Sequence, residues 1–199
     1  MRKFLLLLIF SCVSCTLCAS TPDEGSLLSG FDAALKALGC YRVKFEVKTD
    51  GYAAAGEYVV SGNDFYVASD GVEVYVESGV KYQVNGASRE IVIDSATSLG
   101  SDIISNPARG FSSLTESLSA TEIVENGRRA VRLTPKEGAM ISETITIEAD
   151  KSGELPARII YTADGGSIII EVKSVERCPA GMPRFDVAKY AGYECVDMR

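Results

Sequence analysis

The chain has 199 residues, carries a formal charge of −7, and contains neither histidine nor tryptophan. Without histidine, the usual serine and cysteine triads lack their base, and zinc sites lose a principal ligand. An acidic chain with no basic stripe is a poor nucleic-acid binder, so no nucleic acid is expected as a partner; the acidity serves solubility instead.

The first twenty residues read as a targeting segment. Arg2 and Lys3 form a basic start, Phe4 to Phe10 is an unbroken apolar run, and small residues follow to Ser20. The run is too short to span a bilayer, and the pattern is that of a secretory signal peptide over residues 1–20, cut near Ala19 or Ser20. Loss of Arg2 and Lys3 takes the charge from −7 to −9. Cys15, after Val13 and Ser14, also stands where a lipid-attachment signal places its modified cysteine, with Cys12 and Cys18 nearby. A free exported product and a lipid-anchored one both stay open. Residues 21–199 suffice for a single domain with a sizeable core.

Ser26 to Leu38 is predicted to be a helix. Leu27, Leu28, Phe31, Ala34, Leu35 and Leu38 fall on one stripe, Gly39 suits the C-cap, and Gly30 loosens the start. From Tyr41 the period changes to two: Tyr41, Val43, Phe45 and Val47 alternate with Arg42, Lys44, Glu46 and Lys48. Turn signals at Asp50-Gly51, Gly62-Asn63, Asp70-Gly71, Ser78-Gly79 and Asn85-Gly86 then cut an antiparallel meander into strands at 41–49, 52–61, 64–69, 72–77, 80–85 and 89–94. Parity assigns Val43, Phe45, Val47, Tyr58, Val60, Phe65, Val67, Val74, Val76, Tyr82, Val84, Ile91 and Ile93 to an inward apolar face. Lys44, Glu46, Glu57, Glu73, Glu77, Lys81, Gln83 and Glu90 fall to water.

Residues 95–119 break this pattern. Leu99, Ile103, Ile104, Phe111, Leu114 and Leu118 recur at rough helical spacing, while Pro107 interrupts a helix and extends Asn106. A short helix at about 101–105 and another helical piece near 108–115 are expected, as a lid or simply a connection. Strands return at 120–125, 128–134, 142–149, 155–162 and 167–175. Ile145, Ile147, Leu155, Ala157, Ile159, Tyr161, Ile168, Ile170 and Val172 keep the inward alternation, and Tyr193–Val196 is a candidate edge strand. Ten or eleven strands are too many for one flat sheet, so the sheet must curl with its apolar face inside.

Chemistry is hard to find. There is no G-x-S-x-G, no S-x-x-K and no glycine-rich phosphate loop opening a helix. A carboxylate pair could in principle cleave glycosides, but the glutamates occupy the solvent parity, and Asp70, Asp94, Asp150 and Asp164 suit turns. No catalytic residue, metal ligand set or cofactor site is expected. The three later cysteines leave two readings: Cys178 and Cys195 close a C-terminal loop with Cys40 unpaired, or all three are small buried apolar residues.

Several phrases resemble a known family: Gly56-Glu57-Tyr58, Asp64-Phe65-Tyr66-Val67, Arg89-Glu90-Ile91-Val92-Ile93-Asp94, Asn106-Pro107-Ala108, Phe185-Asp186-Val187 and Tyr193-Glu194-Cys195-Val196-Asp197. Together with the order of elements, they are similar to the LolA-type periplasmic carriers of outer-membrane lipoproteins in Gram-negative bacteria, in the branch found in Bacteroides-type species. The resemblance implies a mainly β (α+β) fold: a curled antiparallel sheet forming an unclosed barrel, capped by the N-terminal helix and short lid helices. It implies an apolar cavity for acyl chains, walled by the inward residues from Phe45 to Ile93, with Leu35, Leu38, Ile103, Ile104 and Phe111 on the lid side. Acylated lipoproteins or lipid would be the partners, with inner-membrane releasing machinery and an outer-membrane acceptor, and the protein would act as a monomer without cofactor. The family's lid-locking Arg has no counterpart, because that place reads Ser61-Gly62-Asn63. A module for another apolar ligand, tethered through Cys15 or free, and a domain with a fully packed interior are the competing expectations.

Overall fold

The computed structural model describes residues 26–199 apart from 100–102, 104–105, 126, 139–141 and 164. The targeting segment with Cys15, the lid residue Ile104 and most of the helix expected at 101–105 lie outside the described residues.

Helix α1 spans Ser26–Leu38. Gly39, with φ of 74°, ends it and returns its amide to the Lys36 carbonyl, which is the left-handed cap that glycine adopts at little cost. Six strands follow in a meander: β1 (Cys40–Thr49), β2 (Tyr52–Ser61), β3 (Asp64–Ser69), β4 (Val72–Glu77), β5 (Val80–Asn85) and β6 (Glu90–Ser95). The irregular stretch condenses into 3₁₀ turns at Ala96–Ser98, Pro107–Arg109 and Phe111–Glu116. Then come β7 (Leu118–Glu125), β8 (Arg128–Pro135), β9 (Thr144–Ala149), β10 (Pro156–Ala163) and β11 (Gly166–Arg177), and last a 3₁₀ turn at Val187–Tyr190 and strand β12 (Glu194–Asp197).

Among the described residues twelve strands join one sheet, in the order β12-β6-β5-β4-β3-β2-β1-β11-β10-β9-β8-β7. Neighbours are antiparallel except β12, which runs parallel to β6. The terminal strands β12 and β7 do not pair with each other, so the barrel is unclosed. The fold is therefore mainly β with a helical cap, and the candidate edge strand at Tyr193–Val196 is present as β12. Among the described residues no helix is long and apolar enough to cross a membrane.

Both faces of the sheet bury apolar side chains. One face carries α1 and the segment 107–116; its core joins Leu28, Phe31 and Leu35 of α1 to Val43, Val60, Phe65, Val76, Ile147, Ile159 and Ile170 of the sheet. The opposite face of β2–β6 is covered by the chain after Cys178, where Met182, Phe185, Tyr190 and Tyr193 pack on Val59, Tyr66, Tyr75, Tyr82, Val84, Ile91 and Ile93.

This second core corrects the inward list. Tyr82, Val84, Ile91 and Ile93 belong to the opposite face, not to the face of the helix. The turn at Ser78-Gly79 sets the register Tyr75↔Tyr82 and Val76↔Lys81. Because cross-strand partners share a face, Lys81, Gln83, Val92 and Asp94 lie on the side of Val74 and Val76. The apolar alternation of β5 and β6 was real, but the cover it faces comes from the C-terminal segment.

Candidate functional site: an apolar cavity beneath the helical cap

Alternation along β1 points Val43, Phe45 and Val47 to one face, and the registers extend that face to Tyr58 on β2 and Val67 on β3. On the other side, β11 contributes Ile170 and Val172, opposite Val47 and Phe45 across the central seam. A β-bulge between Lys44 and Phe45 adjusts the register there. With Ser69, Pro156, Ile159 and, from above, Ile103 and Phe111, these residues enclose a cavity of about 170 Å³. Its wall is almost wholly apolar.

Two glycines shape this region. A Cβ at Gly56 would lie 2.6 Å from the Phe45 ring and 2.9 Å from the Ala68 carbonyl, so the missing side chain is what lets Phe45 lie across β2. Gly110 has φ of 78°, and a Cβ there would meet Asp32 Oδ1 at 2.7 Å. That carboxylate is the main polar tie of the cap. From α1, buried Asp32 accepts the backbone N–H of Phe111 at 2.6 Å and of Ser112 at 2.9 Å, and also the Ser112 hydroxyl. It thus caps the 3₁₀ segment Phe111–Glu116 and sets the Phe111 ring against Phe31, with centroids 5.7 Å apart. Arg109 closes the same segment on Glu116 at 2.7 Å.

The polar groups near the wall are held neutral. Burial drives the Tyr58 phenol far above its ordinary range, with Tyr41 adding to the effect. Tyr41 is pushed up to about 12, first by burial and then by the Asp32 charge. The two rings meet edge to face at 6.3 Å, and Tyr58 also packs on Phe45 at 6.1 Å. The lining suits hydrocarbon, its only hydroxyls being those of Tyr58 and Ser69.

A second, larger space of about 750 Å³ opens at the end of the barrel, between Asp32, Lys36 and Gly39 of the helix end, Tyr41, the turn Ser61-Gly62-Asn63 and Arg109. Its lining is more polar than that of the apolar cavity.

Of the residues singled out from sequence, Phe45, Val47, Tyr58, Val67, Ile103 and Phe111 line the cavity. Val60, Phe65, Val74, Val76, Leu35 and Leu38 pack in the surrounding core without lining it. Ile159, Ile170 and Val172 were legible by parity and belong to the wall. Pro156 was missed, because a register irregularity between Pro156 and Arg158 displaces it from simple alternation. Asp32 was missed too: one acid on a helix carries no signal until the segment it caps is in place. The thiols of Cys40, Cys178 and Cys195 are all free in the structure, so the closure of Cys178 on Cys195, one of the two readings above, is not seen; of the three only Cys178 is buried, as the other reading had it, and Cys195 is exposed.

No family model matches the chain, and no curated protein does either. Solved structures do. An uncharacterized conserved protein from Thermus thermophilus superposes with a TM-score of 0.55 at 10% identity, covering 86% of this chain and 96% of its own; that likeness shows the fold. The LolA superfamily protein NE2245 from Nitrosomonas europaea matches at TM-score 0.41 and 9% identity over 84% of this chain and 97% of its own. A putative outer membrane lipoprotein-sorting protein domain from Vibrio parahaemolyticus matches at 0.43 and 8% identity, over 84% and 96%.

Proposed function

We propose that this protein is a periplasmic carrier that takes acyl chains of lipoproteins into the cavity beneath its helical cap and shuttles them from inner to outer membrane, without covalent chemistry or cofactor. The observation that carries the reading is the cavity itself: an almost wholly apolar space walled by Phe45, Tyr58, Val67, Ile170 and Phe111. Shielding an acyl chain from water is worth about 0.8 kcal/mol per buried methylene, enough to make such a space a binding site rather than a packing fault. Its size sets a condition. At about 170 Å³ it is near the roughly 150 Å³ that admits a single benzene, and below the roughly 300–1,000 Å³ of ordinary ligand pockets. The resting cavity accepts the end of a chain, and the segment 107–116 lifts to admit the rest. Release would be driven by inner-membrane machinery on loading and an outer-membrane acceptor on delivery.

The test is displacement of a hydrophobic fluorescent probe from the purified protein by a triacylated lipopeptide, with the deacylated peptide as control. Displacement by the acylated form alone supports the carrier; absence of probe uptake refutes it. Ser61-Gly62-Asn63, in place of the Arg of the resembling carriers, favours a second reading: a module on the same fold for another apolar ligand, tethered through Cys15 or free. Displacement by free fatty acid but not by lipopeptide, with a lipidated N-terminus in the mass spectrum, would select it.

A further inference from the structure

Cys40 opens β1, and Cys178 follows directly on the end of β11. The register that pairs Tyr41 with Arg177 runs one step further, since the amide of Cys178 donates to the Cys40 carbonyl at 2.9 Å. Directly opposed residues of antiparallel strands send their side chains to the same face, and both cysteines belong to the core on the face away from the helix. In a hydrogen-bonded antiparallel pair the Cα atoms lie about 5.5 Å apart, within the commonest range of a disulfide. Cys178 Sγ donates to the Gly181 carbonyl at 3.0 Å. Cys195, by contrast, sits exposed on the edge strand β12.

We propose that Cys40 and Cys178 are a disulfide site, oxidised in the exported protein by thiol–disulfide exchange, with Cys195 remaining a thiol. Half-buried Cys40 is the more accessible of the two. Its thiolate attacks a low-molecular-weight or protein disulfide, forming a mixed disulfide and expelling one thiolate. The Cys178 thiolate then attacks the Cys40 sulfur and expels the second. Two electrons pass to the oxidant, which leaves as two thiols, and the two cysteine protons go with them. Burial and the neighbouring Cys178 raise the Cys40 thiol above its ordinary range, so exchange is slow at neutral pH and quickens as pH rises.

The position gives the bond a purpose. The β1–β11 seam joins β1–β6 to β7–β11, and further along it Val47 and Ile170 form part of the cavity wall. Cys178 also begins the segment that covers β2–β6. One bond therefore pins the seam, the root of the covering segment and, since Cys40 lies two residues beyond the end of α1, the foot of the helix, while the segment 107–116 stays free to move as the carrier reading requires. The proposal does not depend on that reading.

The test uses the full chain recovered from an exporting host, denatured with iodoacetamide and no reductant, then digested and mapped by mass spectrometry. The expected result is a joined Cys40–Cys178 peptide, about 2 Da lighter than the two reduced peptides together, with Cys195 alkylated. C195S keeps the link. Oxidised glutathione at pH 8.5 restores the link to reduced protein, raising its urea midpoint by about 1–2 M. Three alkylated cysteines after that treatment, or any link through Cys195, overturns the proposal.

Discussion

Removing the Asp32 carboxylate should loosen the cap without dismantling the sheet. In Asp32→Ala, the amides of Phe111 and Ser112 and the Ser112 hydroxyl lose their shared acceptor. A hydrogen bond to a charged group contributes about 1.5–3 kcal/mol, and each stranded buried donor costs about 1–3 kcal/mol. The three bonds share one carboxylate and do not add; Ser112 is also exposed enough for water to replace part of the loss. The expected destabilisation is therefore about 3 kcal/mol, which lowers the urea midpoint by about 1.5 M for a slope near 2 kcal/mol/M. Asp32→Asn keeps one carbonyl acceptor and should lose about half as much. Hydrogen exchange supplies the local readout: the amides of Phe111 and Ser112 should lose protection, while those of β1 and β11 keep theirs. If Asp32→Ala moves the midpoint by less than about 0.3 M, or unprotects the sheet as fast as the cap, the carboxylate is not the latch described here.

Two further predictions separate cavity from core and weigh the acid face. Val172→Phe places a ring in the cavity and should abolish uptake of the hydrophobic probe, whereas Ile93→Ala, on the opposite face, should leave uptake intact while costing about 2–5 kcal/mol in urea unfolding; equal effects on uptake would refute the assignment of faces. Burial alone would raise the Glu73 carboxyl, but hydrogen bonds from Lys189, Tyr190, Tyr66 and Tyr75 outweigh it and hold the group down to about 2. Since that folded value lies below the ordinary 4.5, its stabilisation is present above about pH 4.5 and lost as pH falls towards 2. Urea midpoints at pH 5 and pH 3 should therefore fall further in wild type than in Glu73→Gln, the residual fall in the variant coming from Glu171 and Asp197, also held near 2. Equal falls would sink the argument.

The meander was legible because its strands obey a strict period of two and its turns are marked by glycine. Predicted and observed bounds agree within a residue or so from β1 to β6. Which face a strand presents was less secure. Period two says that Tyr82 and Val84 share a side; it does not say which side, and the decision rests on the turn. A two-residue turn at Ser78-Gly79 pairs odd positions with even ones, so Val76 must face Lys81. That signal was present in the sequence and outweighed by the expectation that one face is apolar and the other wet. The expectation fails because Met182, Phe185, Tyr190 and Tyr193 make the opposite face of β2–β6 a second core. A proline-broken C-terminal stretch gives no periodicity from which to foresee that cover. The Asp32 cap and the Cys40–Cys178 juxtaposition are likewise tertiary: each joins residues that local pattern cannot relate.

The two cores also differ in how they are fastened, and the difference bears on which part of the molecule can move. The segment after Cys178 is fixed to β4 and β5 by interlocking contacts: Phe185 stacks on Tyr82 at 4.1 Å, Arg184 reaches both Asp64 and Glu77, and Glu73 gathers Tyr66, Tyr75, Tyr190 and Lys189. Lifting it would break aromatic packing and a charged network together. The cap over the cavity depends on apolar contacts, on the Asp32 carboxylate that joins α1 to 111–116, and on scattered ties to the sheet: Glu122 accepts the Leu27 amide, Arg177 donates to the Ala37 carbonyl and Lys136 to the Thr115 carbonyl. Apolar contacts are non-directional, and an acyl chain entering the cavity replaces them with others of the same kind. Exchanging Phe111 for hydrocarbon beneath the segment 107–116 therefore costs little beyond the Asp32 bonds and the Lys136 bond to Thr115, whereas opening the strap breaks the whole Glu73 network. In the carrier reading proposed above, the sheet with its strap is the rigid wall, and the cap, with fewer directional contacts, is the side expected to open.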